Sequence, residues 1–160
     1  MPHSPVRIAS VAEAVTTIVE ELRLAHPKQE IRLVAADCSL DADPARLAQV
    51  LSNLISNAVH HGEPGAAVDV DVAVSSENVT LSITNRGEPI PEALLPKLFQ
   101  PYQRLDRGGA PGGLGLGLYI VSEVVRLHRG RIDAQNLDGG LVRFVCTFPT
   151  LVATKSEISA

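Results

Sequence analysis

A run of glycines directly before a helical pattern is the part of this sequence whose spacing most suggests chemistry. Gly113, Gly115 and Gly117 alternate with leucines, and the amphipathic segment LYIVSEVVRLH follows at once. Glycine lets backbone N–H groups come close to a ligand, and the N-terminal end of a helix attracts negative charge. The pattern therefore predicts an anion-binding site where the glycines meet the helix.

Two well-known phosphate-binding motifs do not fit this glycine run. A Rossmann fingerprint needs a strand directly before the glycines and an acidic residue about 20 positions later, whereas the loop-like LDRGGAP precedes them here. A Walker loop needs Gly-Lys-Ser or Gly-Lys-Thr, and the chain contains neither. A glycine-rich linker is the structural alternative, although the alternating Leu114, Leu116 and Leu118 favour a packed loop.

A second candidate group follows the polar flank of the helix predicted in LDADPARLAQVLSNLISNAVHHG. At about 100° per residue, one flank of this helix carries three carboxamides, a guanidinium and an imidazole: Arg46, Gln49, Asn53, Asn57 and His60. Oxygen and nitrogen atoms of these types bind metal ions and phosphates. A solvated polar edge has the same composition, so the helix alone does not decide between the two interpretations.

Helical patterns surround both candidate groups. The first helix begins at Ser10, which forms a capping box with Glu13 ahead of an apolar stripe at helical spacing. The second begins at Asp43, the third near the last glycine of the run, and Pro91–Phe99 is predicted to be a shorter helix. These helices must position the candidate groups.

The remaining periodic segments alternate apolar and polar residues, as strands do. One strand is predicted in EIRLVAAD, one hairpin in AAVDVDVAV with VTLSITN, and a second hairpin in GRIDAQN with GLVRFVCTFP. Together with the helices they predict an α+β fold. Its architecture is a two-layer α/β sandwich, in which a mixed, mostly antiparallel sheet is covered on one face by helices.

Length and composition limit the classes of function. The chain has 160 residues, of which 45% are hydrophobic and 20% charged; this fits one domain, assigned to residues 1–150, and a disordered tail over 151–160. A net charge of −4 argues against a nucleic-acid-binding surface. No stretch approaches the roughly 20 apolar residues that cross a bilayer, so we expect a cytoplasmic domain without membrane contact.

Four stretches of the chain resemble, in order, the N, G1, F and G2 boxes of sensor histidine kinases. They are LAQVLSNLISNAVHHG, ITNRGEPIP, LFQPYQR and GGLGLGLYIVSEVVRLHRGRIDAQN. The resemblance runs from about Val6 to Pro149, and four ordered boxes are far more specific than any one of them. It implies a Bergerat-type ATP-binding fold, shared with gyrase, a heat-shock chaperone and a mismatch-repair ATPase, and an ATP-dependent protein-histidine kinase of a two-component system.

The resemblance implies ATP and Mg2+ as cofactors and gives roles to individual residues. Asn57 resembles the asparagine whose side-chain oxygen binds magnesium, and Asn53 lies beside it, where an amide cannot activate water as a base. Asn85 resembles the aspartate that accepts a hydrogen bond from the adenine amino group, and Arg104 the arginine that reaches the γ-phosphate. The implied catalytic residues are Asn53 and Arg104, and the implied ATP-binding residues are Asn53, Asn57, His60, His61, Asn85, Gly87, Ile90, Phe99, Gly113, Leu114, Gly115, Leu116, Gly117 and Leu118.

Several of these positions have a specific role or differ from the family pattern. The resemblance implies that Gly87 lets the backbone approach the base and that Ile90 forms an apolar wall for it. Phe99 either packs the lid over the nucleotide or fills the core. Pro89 replaces the second glycine of the G1 box, and His60 replaces a lysine that often contacts phosphate, which would make binding sensitive to pH.

A two-helix dimerisation element with a phosphoacceptor histidine has no counterpart in the sequence. We therefore expect a domain of a longer kinase, either soluble or membrane-anchored, that binds ATP without phosphorylating itself. The implied partners are the histidine-bearing dimerisation domain of that kinase and a downstream response regulator. Two alternatives stay open: a nucleotide-binding signalling module that has lost catalysis, and a serine kinase of the anti-sigma type from the same superfamily.

Overall fold

The computed structural model describes residues 7–101 and 116–150, in which helices and strands alternate along the chain. The helices are α1 (Val11–Ala25), α2 (Pro44–His61) and α3 (Gly117–Leu127), with a 3-10 helix at Leu95–Lys97. The strands are β1 (Arg7–Ile8), β2 (Ile31–Ala35), β3 (Leu40–Asp41), β4 (Val68–Val74), β5 (Asn78–Arg86), β6 (Arg131–Leu137) and β7 (Leu141–Pro149). The predictions for Arg104, Gly113, Leu114, Gly115 and the C-terminal tail lie outside the described residues.

Five of the described strands form one sheet in the order β2-β4-β5-β7-β6. The β2–β4 pair is parallel and the other three pairs are antiparallel. Strands β1 and β3 form a separate short antiparallel pair that the sequence patterns did not predict. The expected α+β fold with a mixed, mostly antiparallel sheet is confirmed.

The helices pack on one face of this sheet. Helix α1 contacts β2, α2 contacts β4 and β5, and α3 contacts β6. Along β5 the side chains of Val79, Leu81 and Ile83 are fully buried toward the helices, whereas Thr80 and Ser82 between them are half-buried on the other face. This alternation of period two is what a sheet covered on one side requires.

Helix α2 lies at the centre of the helical layer and carries the polar flank on its edge. The Asp43 carboxylate accepts a hydrogen bond from the Ala45 N–H at 2.9 Å, Pro44 occupies the first turn and Gly62 is the C-cap. These are the predicted start and stop signals, and both are confirmed. The buried stripe consists of Leu47, Val50, Leu51, Leu54, Ile55 and Ala58.

The α-helix predicted over Pro91–Phe99 is wrong. The structure has turns there and a 3-10 helix at Leu95–Lys97. Lys97 N–H donates to the Leu94 carbonyl at 2.9 Å, which is an i to i−3 bond rather than the i to i−4 bond of an α-helix. Pro96 accounts for the difference, because it has no N–H to donate and its ring clashes with the carbonyl four residues earlier.

Helix α3 ends at a histidine that connects it to the start of α2. His128 Nδ1 lies 2.8 Å from the Val124 carbonyl, and its Nε2 accepts a hydrogen bond from the Asp43 N–H at 3.3 Å. The imidazole therefore satisfies one backbone group at an end of each helix. This contact holds the two helices of the candidate site in a fixed relation.

Charged side chains lie at both edges of the sheet. Arg23 at the end of α1 donates from both Nε and Nη2 to the Ile31 carbonyl on edge strand β2, at 3.0 and 2.6 Å. Arg131 and Asp133 are exposed on the opposite edge strand, β6.

None of the helices in the described ranges combines the length and hydrophobicity that a membrane crossing requires.

The first turn of α1 is held by two side chains. Ser10 Oγ accepts from the Glu13 N–H at 3.1 Å, as the capping pattern predicts, and donates to Asp37 Oδ1 at 2.9 Å. The same Asp37 oxygen accepts from the Ala12 N–H at 3.1 Å. The hydrogen bonds from Ala12 N–H and then from Ser10 lower the pKa of Asp37 below its ordinary 3.8. Since folding depresses this pKa, the resulting stabilisation is complete above 3.8 and is lost as the pH falls through the lower folded value.

We expect Asp37→Asn to lower the melting temperature by a few degrees at neutral pH, because the amide removes the negative charge at the start of α1. The difference from the wild type should shrink as the pH falls from 3.8 through the lower pKa of the native carboxyl. Thermal unfolding followed by circular dichroism across this pH range measures both effects. Asp71→Asn, at an exposed position of β4, is the matched control and should change little. A difference independent of pH would contradict the assignment.

Candidate nucleotide-binding site

Asn53 and Asn57 lie one helical turn apart on α2, both half-buried at the edge of its apolar stripe. Asn53 Nδ2 donates to the carbonyl of Gly117, the first residue of α3, at 3.2 Å. The Asn57 carboxamide makes no hydrogen bond to another residue within the described ranges, so its oxygen can serve as a ligand. The structure thus brings the polar flank of α2 next to the end of the glycine run.

The beginning of α3 is open around Gly117. Leu116 is half-buried, and Leu118 packs against the core. A Cβ placed on Gly117 would meet no described atom within 4 Å. Packing among the described residues therefore gives no reason for glycine at this position, whereas the approach of a ligand to the backbone would give one.

Asn85 is a buried polar residue near the C-terminal end of β5. Its side chain points to the same face as Ile83, and only 4% of the residue is exposed. No described residue forms a hydrogen bond with its carboxamide. Buried polar groups in native proteins almost always have a partner, and one without a partner needs an explanation. A ligand that bonds to the carboxamide would supply that partner.

The segment after Asn85 is tied closely to the end of α2. Glu63 N–H donates to the Arg86 carbonyl at 2.6 Å. A Cβ on Gly87 would lie only 2.7 Å from the His61 carbonyl oxygen and 3.2 Å from Asn85 Nδ2. The sequence assigned Gly87 to contact with the base; the structure adds a requirement inside the protein, because no larger residue fits between α2 and β5.

An open pocket of about 490 Å³ adjoins this contact. Its lining consists of His61, Gly62, Glu63, Arg86, Gly87, Glu88 and Gly140. The rings of His60 and His61 meet edge to face, with their centroids 4.7 Å apart. Of the residues predicted to surround the base, Gly87 lines this pocket, whereas Asn85 and Ile90 do not.

Ile90 is buried, and its backbone is held by Asn136, a residue that the sequence did not predict to be near the site. Ile90 N–H donates to Asn136 Oδ1 at 2.8 Å, and Asn136 Nδ2 donates back to the Ile90 carbonyl at 2.8 Å. A signal was present in the strand pattern: Ile132 and Ala134 share the inward phase of β6, and Asn136 continues that phase with a polar residue.

Phe99 packs on the core side of its segment. Its ring meets Phe144 of β7 edge to face, with centroids 6.2 Å apart. Phe144 is 1% exposed, so the contact belongs to the hydrophobic core. Of the two roles considered for Phe99, core filling is the one observed among the described residues.

The described ranges contain no cluster of three or more His, Cys, Asp or Glu side chains that could hold a metal ion. Arg46, at the start of the polar flank, is exposed and donates to Gln49 Oε1 at 3.2 Å. The carboxamide oxygens of this flank are of the type that a hard cation such as magnesium accepts as ligands.

The family model described as "Histidine kinase-, DNA gyrase B-, and HSP90-like ATPase" matches residues 42–152 of this chain. The matched span contains α2, the end of β5 and the start of α3, and therefore every group of the candidate site. The chain belongs to this family. Family membership makes ATP the nucleotide of the domain.

Individual relatives of this ATPase family agree with the assignment. The chain is 41% identical over 153 residues to a bacteriophytochrome of Pseudomonas aeruginosa, covering 93% of this chain and 21% of the relative. It is 34% identical over 116 residues to the sensor protein VanS of Enterococcus faecium, covering 71% of this chain and 30% of that protein. The chain thus spans less than a third of the length of these curated relatives.

The solved structure of a mycobacterial sensor histidine kinase, MprB, has the same fold. The TM-score is 0.80 at 23% identity, and the match covers 91% of this chain and 97% of the other. This likeness confirms the expected fold. The family match makes the chain an ATP-binding domain of the histidine kinase-, DNA gyrase B- and HSP90-like ATPases.

Proposed function

We propose that this domain binds Mg-ATP between α2, the end of β5 and the start of α3, and donates the γ-phosphoryl group to a histidine on the dimerisation domain of its parent kinase. The observation that carries the proposal is the buried Asn85 carboxamide without a hydrogen bond to any described residue. A response regulator would then receive the phosphoryl group from the histidine. We also propose that the domain lies in the cytoplasm. The acceptor histidine and the regulator are part of this proposal, since the chain spans less than a third of the length of the two curated relatives above.

Asn85 is proposed to bind the adenine base. Its side-chain oxygen can accept from the adenine amino group, and its NH2 group can donate to the neighbouring ring nitrogen. Leaving such a buried group unpaired costs about 1–3 kcal/mol. Binding of the base removes this penalty, so Asn85 favours a ligand with both a donor and an acceptor on one edge.

Asn57 is proposed to hold Mg2+, which neutralises charge on the phosphates when bound. Its carboxamide oxygen is the right kind of ligand for this cation, and it lies one helical turn after Asn53, which contacts the first residue of α3. That end contributes a favourable field for phosphate oxygens, together with the open backbone at Gly117. His60, His61, Leu116 and Leu118 complete the proposed surroundings within the described residues.

Asn53 is proposed to position the site without acting as a base. Its amide already donates to the Gly117 carbonyl, which fixes α2 against α3. A carboxamide has no basic group to remove a proton from water. Hydrolysis of ATP should therefore be slow, and the γ-phosphoryl group is kept for the protein acceptor.

The transfer step is tested by Arg104→Ala, a change outside the described residues. We expect transfer to fall at least about 100-fold, the scale of losing one preorganised charge at a transition state, while Mg-ADP binding stays near the wild-type value. The assay mixes the domain with a separately purified dimerisation domain of its parent kinase and follows radiolabelled phosphate on the histidine. Calorimetry with Mg-ADP gives the binding constant.

Arg126→Ala is the matched control, because Arg126 is an exposed arginine of α3 paired only with Glu123 in the described structure. It should transfer phosphate at the wild-type rate. Binding of Mg-ADP without any transfer by the wild type would contradict the kinase proposal and support a module that only binds nucleotide. Failure of the wild type to bind would contradict the whole proposal.

A further inference from the structure

The hairpin of β6 and β7 reaches back to the residues proposed to hold the base. Val142 of β7 lies opposite Asn85 on one side and opposite Asn136 on the other. The three residues form a row across the inner face of the sheet. Asn136 is the last of the row on edge strand β6, and from there its carboxamide bonds to both backbone groups of Ile90.

Ile90 belongs to a segment without strand or helix of its own. Residues 87–90 follow β5 without forming part of a ladder, and Pro89 has no N–H to offer. The segment is instead held at its two ends by the hairpin. Gly87 N–H donates to the Gly140 carbonyl at 2.9 Å at one end, and Asn136 bonds to Ile90 at the other.

The side chain of Asn136 takes the place of a neighbouring strand for Ile90. One carboxamide donates and accepts as a peptide group of a β-ladder does, so both backbone groups of Ile90 are satisfied. Ile90 itself is only 5% exposed. Without these bonds the segment would have to satisfy both groups with water, and the buried isoleucine side chain would lose its fixed position.

We propose that Asn136 is a positioning residue of the nucleotide site, acting by fixing Ile90 relative to Asn85. The inference rests on the proposed function, because it takes Asn85 as the residue that binds the base and Ile90 as the apolar wall expected beside the base. Asn136 itself need not contact the nucleotide. Its loss should therefore weaken binding of the base and leave binding of the phosphate chain unchanged.

The test compares wild type, Asn136→Ala and Asn136→Asp in calorimetric titrations with Mg-ADP and with magnesium tripolyphosphate, which has no base. We expect Asn136→Ala to weaken Mg-ADP binding about tenfold, the order given by losing two hydrogen bonds, at unchanged stoichiometry and unchanged tripolyphosphate affinity. Hydrogen exchange of the Ile90 amide should be faster in the variant. A role in stability alone would weaken the binding of Mg-ADP and of tripolyphosphate by the same factor, because both ligands bind only the folded fraction.

Gln135→Ala is the matched control, because Gln135 is the exposed neighbour on the outward phase of β6. Asn136→Asp keeps the acceptor for Ile90 N–H and loses the donor, so an intermediate loss of affinity is expected; it carries the test if the alanine variant does not fold. Mg-ADP affinity at the wild-type level in both variants would overturn the inference while leaving the proposed function intact. A wild type that binds no Mg-ADP would overturn both.

Discussion

Asn57→Ala is expected to abolish magnesium-dependent nucleotide binding while leaving the fold unchanged. Asn57 lies at the edge of the buried stripe of α2 and makes no hydrogen bond within the described residues, so its removal breaks no internal contact. Mutation of a residue that hydrogen-bonds to a metal ligand typically lowers metal affinity about 10–100-fold. Removal of the ligand itself should lower the affinity more. Calorimetry with Mg-ADP, repeated with EDTA, measures the effect.

Two variants of the same helix face sharpen this test. Asn57→Asp keeps an oxygen ligand and should retain magnesium-dependent binding, and Gln49→Ala, two turns earlier on the same flank, should bind as the wild type does. Circular dichroism and thermal unfolding show whether each variant is folded. Undiminished binding of Mg-ADP by a folded Asn57→Ala variant would remove Asn57 from the site.

Gly87→Ala is expected to disturb both stability and binding. The added carbon would lie 2.7 Å from the His61 carbonyl oxygen, a backbone atom that cannot rotate away. Either the last turn of α2 or the segment after β5 has to shift, and overpacking of this kind costs about 1–3 kcal/mol. Chemical denaturation should show this loss. Mg-ADP affinity should fall with it, because Asn85 lies directly before the displaced segment.

Gly117→Ala is the informative counterpart. The same added carbon meets no described atom there, and alanine favours a helix over glycine by about 1 kcal/mol. We expect unchanged or higher stability together with weaker nucleotide binding, since the methyl group would stand where phosphate approaches the backbone. Equal effects of the two substitutions on stability would show that the distinction between internal packing and ligand approach is wrong.

The local parts of the fold could be predicted from the sequence because single residues determine them. Ser10, Asp43 and Gly62 each satisfy or end a helix through contacts within a few positions, and they act where the pattern placed them. The two hairpins follow from alternation around short polar turns. The proximity of Asn53 to Gly117 could be predicted only from the family resemblance, because 64 residues separate the two positions.

The features that the sequence did not reveal depend on distant contacts or on competing local effects. Asn136 pairs with Ile90 across 46 residues. The polar residue on the inward phase of β6 indicates that Asn136 has a partner, but no local pattern identifies that partner as Ile90. The parallel pairing of β2 with β4 crosses the whole of α2. In the segment 91–99 the pattern looks helical, but Pro96 has no N–H to donate, and the structure has only a 3-10 helix there.

The bonds from Arg23 to the Ile31 carbonyl also bear on self-association. A sheet edge with unpaired carbonyls can add a strand from another molecule, and this is a common route to aggregation. Here a guanidinium occupies an acceptor on one edge strand, and the exposed Arg131 and Asp133 give the other edge charges that an incoming strand would have to desolvate. Two molecules of this domain can therefore meet at these edges without joining sheet to sheet.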